Sequence, residues 1–296
     1  MKSWKDYIDG GYIPSTLFEE KPIIALYGLF QTGKSTLINC LFNHYVALTG
    51  KGMATTSLTA RYRYNENEKL QYRRTNGELK DITLAELNEM TFRDDICSNG
   101  SFHLEARIAS SILQYCDIVD TPGFDANVSD TKVALSILEN VHYCLFVIPN
   151  RELLMQEKNL LTELNSKGVS ISVIMNCSLG RSKPKWLPSN KVNQEILKQN
   201  KSWFLSVGIK LLPLNGEEIF PCNALFYWSQ QKEFPKSIPF IDAPEYVMED
   251  INHVLHNYES DSAQIIAQSR IPSLIDGLKA QIKTYDPVTH KWGEHI

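Results

Sequence analysis

No apolar stretch in this chain approaches the ~20 residues needed to cross a bilayer as a helix. The longest, Tyr143 to Pro149, has the length of a buried strand. The N-terminus, Met-Lys-Ser-Trp-Lys-Asp-Tyr, carries no apolar core of the kind a secretory signal needs. Basic charge is not in excess: 30 Lys and Arg face 34 Asp and Glu, a net charge of -4. That excludes a general positive field for nucleic acid and leaves only a local patch as a route to a membrane, which the sequence does not otherwise support. Cysteine is sparse. The six, at 40, 97, 116, 144, 177 and 222, never fall in C-x-x-C spacing, so no paired zinc site is expected. Cys144 and Cys177 sit inside apolar runs and read as small core hydrophobes of a reducing compartment, and the chain reads as cytoplasmic. There is no internal repeat and no low-complexity tract. What remains is 296 residues at 43% hydrophobic, enough for a sizeable core in one large or two small domains.

Against that background one stretch stands out. Pro22 to Asn39 contains G-x-x-x-x-G-K-S, with Gly28, Gly33, Lys34 and Ser35 in the fixed positions. An apolar run, Ile23 to Tyr27, precedes it, and Leu37, Ile38, Leu41 and Phe42 form a helical stripe after it. A triphosphate needs many donors close together, and backbone N–H groups supply them only where the chain wraps tightly. Gly28 and Gly33 permit that wrap, and the helix opening near Gly33 points its free N–H groups at the phosphates. The loop residues Phe30, Gln31, Thr32 and Thr36 complete the cradle. Lys34 would reach the β- and γ-phosphates, and Ser35 would offer its hydroxyl to Mg²⁺.

The rest of the chain alternates strand and helix. Residues 1–21 form a short lead-in. Ser57 to Asn65 alternates Leu58, Ala60, Tyr62 and Tyr64 against Thr59, Arg61 and Arg63, a half-buried strand. Leu70 to Arg74 is expected as its hairpin partner, before a turn at Asn76-Gly77, and a short helix follows over 82–90. Strands are expected at 102–108, 115–120, 143–149, 169–176 and 219–224. Helices are expected over 129–140, 152–166 and 192–207, then from about Asn223, over 244–257, and continuously from 260 to 283. This pattern predicts an α/β fold, a mostly parallel central sheet with helices on both faces and an antiparallel extension. It divides the chain into the lead-in, a phosphate-loop domain over 22–230, and a helical segment over 231–296 that packs on it or docks a partner. Phe226, Tyr227 and Trp228 read as core packing. Arg181, Lys183 and Lys185 with Trp186 read as a solvated loop.

Two further motifs narrow the chemistry. Asp120-Thr-Pro-Gly123 ends an apolar strand downstream of the loop. An Asp there can hold Mg²⁺ through water, and Gly123 can give its N–H to the γ-phosphate. Ala54-Thr55-Thr56 lies between the two motifs, where a hydroxyl can bind Mg²⁺ and orient the attacking water. In this order the three motifs resemble a translation-factor-class GTPase. The Gly-Lys-Ser-Thr-Leu-Ile-Asn-x-Leu-Phe run, the Thr-Thr followed by Arg-Tyr, and the long insert before Asp120 resemble the dynamin family, particularly its bacterial members, over about 22–228. The resemblance implies a GTP/GDP and Mg²⁺ site. It assigns Ser35, Thr56 and Asp120 to the metal and Lys34, Thr56 and Gln31 to catalysis, with the fixed distance to Arg63-Tyr64 selecting Thr56. It also implies a homodimer or a paired dynamin-like protein as partner.

The chain departs from that pattern in two places. Where the family reads guanine with Asn/Thr-Lys-x-Asp, this chain has Asn176-Cys177-Ser178-Leu179. Leu179 cannot accept the two hydrogen bonds of the guanine edge, so ATP is not excluded. The last base motif is matched by Asn223-Ala224. Within the phosphate loop, Phe30 and Gln31 stand where dynamins place polar catalytic residues, and Phe124 follows Gly123, so slow hydrolysis is expected. The expected function is a nucleoside triphosphatase that drives a conformational or assembly switch. The alternative is a nucleotide-binding regulatory or dimerisation module with little hydrolysis, and a metabolic kinase is a weaker third.

Overall fold

The computed structural model describes residues 21–44, 46–47, 59–73, 78–83, 86, 104–123, 141, 143–177, 187–230, 262–286, 289 and 291–292. The threonine pair at 55 and 56, Phe124, residues 178–186 and the helices expected over 129–140 and 244–257 lie outside them, as does Cys97.

The fold begins with β1 (Ile23–Tyr27), buried along its whole length. Its alternate side chains feed two separate cores, which is why it reads as a continuous apolar run. Ile24 and Leu26 join one core, and Ile23, Ala25 and Tyr27 join the other. Four neighbours continue the parallel sheet: β6 (Asp117–Asp120), β7 (Tyr143–Pro149), β8 (Ser170–Asn176) and β9 (Ile219–Cys222). The strand order is β6-β1-β7-β8-β9. Helix α1 (Lys34–Phe42) buries Leu37, Ile38, Leu41 and Phe42 in the first core. Full burial of such side chains contributes about 1.5–3 kcal/mol each. Helices α2 (Met155–Ser166) and α3 (Lys191–Val207) supply Leu160, Leu161, Leu164 and Phe204 to the second. The sheet is therefore covered on both faces.

Beyond β6 the sheet becomes mixed. β2 (Ala60–Tyr64) runs antiparallel to β6, β5 (Leu104–Ile108) lies parallel to β2, and β3 (Lys69–Arg73) and β4 (Leu79–Asp81) complete the edge. The expected hairpin between β2 and β3 does not form, because β5 lies between them. A tight hairpin across residues 65–68 would pair Tyr64 with Lys69 and Tyr62 with Gln71, placing polar side chains on the core face. In the observed register Leu70 faces Ala106 and Tyr72 faces Leu104, while Glu105 stands opposite both Arg61 and Gln71. Thr83 and Glu86 form a capping box where the helix expected over 82–90 would begin; most of that helix lies outside the described residues.

After β9, α4 (Ala224–Ser229) is capped by the Asn223 side chain. The helix expected over 260–283 is two: α5 (Ser262–Ser269) and α6 (Ile271–Ile282). Arg270 breaks it with φ 62, and Pro272 opens the second segment. α5 packs on α4, and α6 packs on α1 and β9, burying Ile271, Leu274, Leu278 and Ile282 in the first core. A two-residue ladder of β10 (Tyr285–Asp286) and β11 (Lys291–Trp292) sets Trp292 against Tyr143, ring centroids 4.7 Å apart. Among the described residues no helix is long and apolar enough to cross a membrane.

Candidate functional site

The loop from Gly28 to Gly33 leaves the end of β1 and enters α1. Gly28 has φ +153, and a Cβ there would lie 2.4 Å from the Val147 carbonyl oxygen, so only glycine lets the loop rise this close to β7. Gln31 (φ 62) and Gly33 (φ 85) are left-handed, which curls the loop over the helix start. Gln31 is exposed, Phe30 half-buried and Thr32 buried; the Thr32 hydroxyl donates to the Leu29 carbonyl at 3.1 Å. Thr36 sits in the first turn of α1, half-buried.

Lys34 is folded back under the loop and donates to the carbonyls of Gly28 (3.1 Å) and Leu29 (3.0 Å). Burial pushes its ammonium down to about 8, partly offset by the Asp120 carboxylate. Asp120 ends β6 beside it, fully buried, and burial pushes its carboxyl up to about 6 against the opposing pull of Lys34 and Ser35. The Ser35 hydroxyl donates to Asp120 Oδ2 at 3.2 Å, and Asp120 Oδ1 has no hydrogen-bond partner among the described residues. A buried carboxylate oxygen with an open lone pair beside a serine hydroxyl is a donor set for a hard, oxygen-seeking cation such as Mg²⁺. The two motifs are also in contact away from these side chains. A Cβ on Gly123 would lie 2.8 Å from Phe30 Cα and 3.0 Å from Phe30 N, so the strand end after Asp120 packs on the loop backbone. Thr121 ties the same strand end to β1 by donating to the Leu26 carbonyl at 2.6 Å.

The base-side residues are joined to this cluster. Asn176, at the end of β8, donates from Nδ2 to the Thr32 carbonyl (3.1 Å) and accepts at Oδ1 from the Ala224 N–H (3.3 Å). Asn223 donates from Nδ2 to the Cys177 carbonyl (3.1 Å) and accepts from the Phe226 N–H. Gly28, Lys34, Ser35, Asp120, Gly123, Asn176, Asn223 and Ala224 thus lie at one end of the parallel sheet. Thr56 is outside the described residues.

One residue with a clear role was not singled out from sequence. Asn39 lies on α1, buried, and its amide accepts from the N–H groups of Val46 (2.8 Å) and Ala47 (2.9 Å) and donates to the Ala47 carbonyl (2.9 Å). It fixes the point where the chain leaves toward Thr55-Thr56. The signal was available: a polar residue between Ile38 and Cys40 on a stripe otherwise apolar.

Comparison with known proteins bears on the family and the fold. The sequence model of the dynamin family matches residues 24–176. Dynamin-like protein 2 of Campylobacter jejuni is 30% identical over 128 residues, which is 42% of this chain and 20% of that protein. A solved structure described as an oligomerised bacterial dynamin pair, with a mechanism for long-range sensing and tethering of membranes, superposes with a TM-score of 0.50 at 18% identity. That superposition covers 85% of this chain and 36% of the other. The chain therefore spans about a fifth of the curated relative and about a third of the solved one.

Proposed function

The chain belongs to the dynamin family, and on that premise we propose that it binds GTP with Mg²⁺ and hydrolyses it slowly to drive a conformational or assembly switch. The observation that carries this reading is the convergence of Lys34, Ser35 and Asp120 beneath a loop that Gly123 touches directly. In this reading Lys34 exchanges its two loop carbonyls for phosphate oxygens, which restores charge balance to an ammonium that burial penalises. Ser35 and Asp120 would hold Mg²⁺, joined by Thr56; the cation would neutralise charge on the phosphates. The backbone of the loop and of Thr36 orients the phosphates, and Asn223-Ala224 and Asn176 border the base. Gln31 is the exposed polar side chain of the loop and would meet an attacking water, whereas Phe30 offers no polar group, hence the slow rate. The protein would act in the cytoplasm, as a homodimer or beside a second dynamin-like chain, with the 22–230 domain carrying its helical segment.

The test is a titration of GTP and ATP with and without Mg²⁺, paired with phosphate release, in the native protein and Lys34→Ala. We expect Mg²⁺-dependent GTP binding that weakens by roughly 100-fold in the variant, the worth of charge-assisted bonds totalling about 3 kcal/mol. Release should be slow and rise with protein concentration. Unchanged affinity in Lys34→Ala, or no nucleotide bound at all, would sink the reading. Binding with no Mg²⁺-dependent release would instead favour the regulatory module.

A further inference from the structure

A cavity of about 480 Å³ opens at the opposite end of β1 and β6 from Lys34 and Asp120. In the β1–β6 register Asp117 faces Ile23 while Asp120 faces Leu26, a separation of three residues, or about 10 Å along the strand. Lys21, Arg63 and Arg107 line the cavity, with Asp117 and the exposed Glu66 as its carboxylates. Asp117 does not balance them. It is 2% exposed, and its Oδ2 accepts from Arg61 Nε (2.9 Å) and Nη2 (2.6 Å), while Arg63 reaches the same oxygen only through Nε at 3.3 Å. Arg63 is half-buried and lines the cavity. Arg107 donates from Nε (3.2 Å) and Nη2 (3.1 Å) to Glu105 Oε1, which fixes the guanidinium at the cavity wall and leaves Nη1 as its third nitrogen. Lys21 lies at 5% exposure with its Nζ on the Leu113 carbonyl at 3.1 Å, so a cation sits in the cavity wall with little water around it.

We propose that this cavity binds the phosphate of a phosphomonoester, between Arg63, Arg107 and Lys21. Two guanidinium forks and an ammonium match the several oxygens and double charge of a phosphate better than a carboxylate. The volume lies within the ~300–1,000 Å³ range of small-molecule sites and exceeds what a bare phosphate fills. The ligand therefore carries a polar body, which would lie against Tyr64. A soluble phosphate ester and a phosphorylated lipid headgroup present the same chemistry here.

Calorimetric titration of glycerol phosphate into the full chain carrying Lys34→Ala, which silences the phosphate loop, tests the site. Vesicle flotation with phosphatidic acid in phosphatidylcholine, against phosphatidylcholine alone, tests the lipid source in the same protein. We expect binding that weakens roughly tenfold when Arg63→Gln is added, with the thermal midpoint held. Arg107→Gln is a second variant, for the case in which Arg63→Gln does not fold. Loss with glycerol phosphate assigns a soluble ester, and loss confined to vesicles assigns the headgroup. Binding by neither probe, or binding indifferent to both arginine substitutions, overturns the proposal.

Discussion

Gly123→Ala tests whether the loop and the end of β6 act as one piece. The added Cβ would lie 2.8 Å from Phe30 Cα, 3.0 Å from Phe30 N and 3.2 Å from Phe30 Cβ. Ordinary contacts of this kind are about 3.5–4.0 Å, and the obstacle is backbone, which cannot rotate aside. Either the strain stays in the fold, at about 1–3 kcal/mol, or the loop withdraws by several tenths of an ångström. For a chain of 296 residues, at ~2.1 cal/mol/K per residue, the first outcome lowers Tm by roughly 2–5 °C. The second displaces the N–H groups that cradle phosphate and weakens GTP binding by roughly 10- to 100-fold. Gly168→Ala is the control: φ is +73 there and nothing lies within 4 Å of an added Cβ. It should cost about 1 kcal/mol of backbone strain and leave nucleotide affinity alone. Thermal melts by circular dichroism and a titration with a fluorescent GTP analogue read both effects. If Gly123→Ala keeps the native melting temperature and affinity, the two motifs are not in contact and the reasoning fails.

The C-terminal helices and the far cavity offer two more tests. Arg270 stacks over Phe220 at 4.4 Å and pairs with Glu217, both ends partly exposed, so Arg270→Ala should lower stability in urea by about 1–2 kcal/mol. Because φ is 62 at that position, Arg270→Gly should lose about 0.5–1 kcal/mol less than Arg270→Ala; equal losses would refute the strained turn. Burial pushes Lys21 down from 10.5 to about 8, opposed by Asp117 and Cys116 and aided by Arg63. The unfolded chain then holds that proton more tightly, so stability is depressed below about pH 8 and recovers as pH rises toward 10.5. Urea midpoints of the native protein should therefore climb over that window relative to Lys21→Met, and a constant offset between the two would contradict the assignment.

How much of this was legible depended on whether the determining contacts are local. β1, β7 and β8 are buried on both faces, so their sequences are unbroken apolar runs that need no partner to be read. The loop glycines were legible from motif spacing alone, although the reason at Gly28 is distant in sequence: it has to clear Val147. The place of β5 was not legible, because its claim to the seat beside β2 rests on Leu104 and Ala106 meeting strands distant in sequence. Likewise Ile271-Pro272 marked a helix start only once Arg270 turned left-handed; the apolar periodicity runs through the break. Of the site, Lys34, Ser35, Asp120 and Gly123 could be placed from motif spacing. Asn39 could be noticed as a polar break in an apolar stripe, but its partners, Val46 and Ala47, lie in a segment without pattern and so its role could not be read.

Asn176 has an architectural role that does not depend on a bound nucleotide. Its amide spans from the Thr32 carbonyl to the Ala224 N–H, both on buried residues. Removing it would strand those two groups at about 1–3 kcal/mol each, whatever base is bound. The same end of the sheet is secured twice more. Cys40 donates its thiol to the Ala224 carbonyl at 3.2 Å, and the Asn223 N–H donates to the Ser269 carbonyl at 2.8 Å, the last residue of α5. The loop that would border the base is therefore held by the phosphate loop on one side and by the C-terminal helices on the other. Among the described residues none of these bonds uses the Cys177 side chain. Cys177 contributes only its backbone there, accepting from Asn223 and donating to the Cys222 carbonyl at 2.7 Å. Position 176 therefore carries an architectural task of its own, separate from any contact with a base.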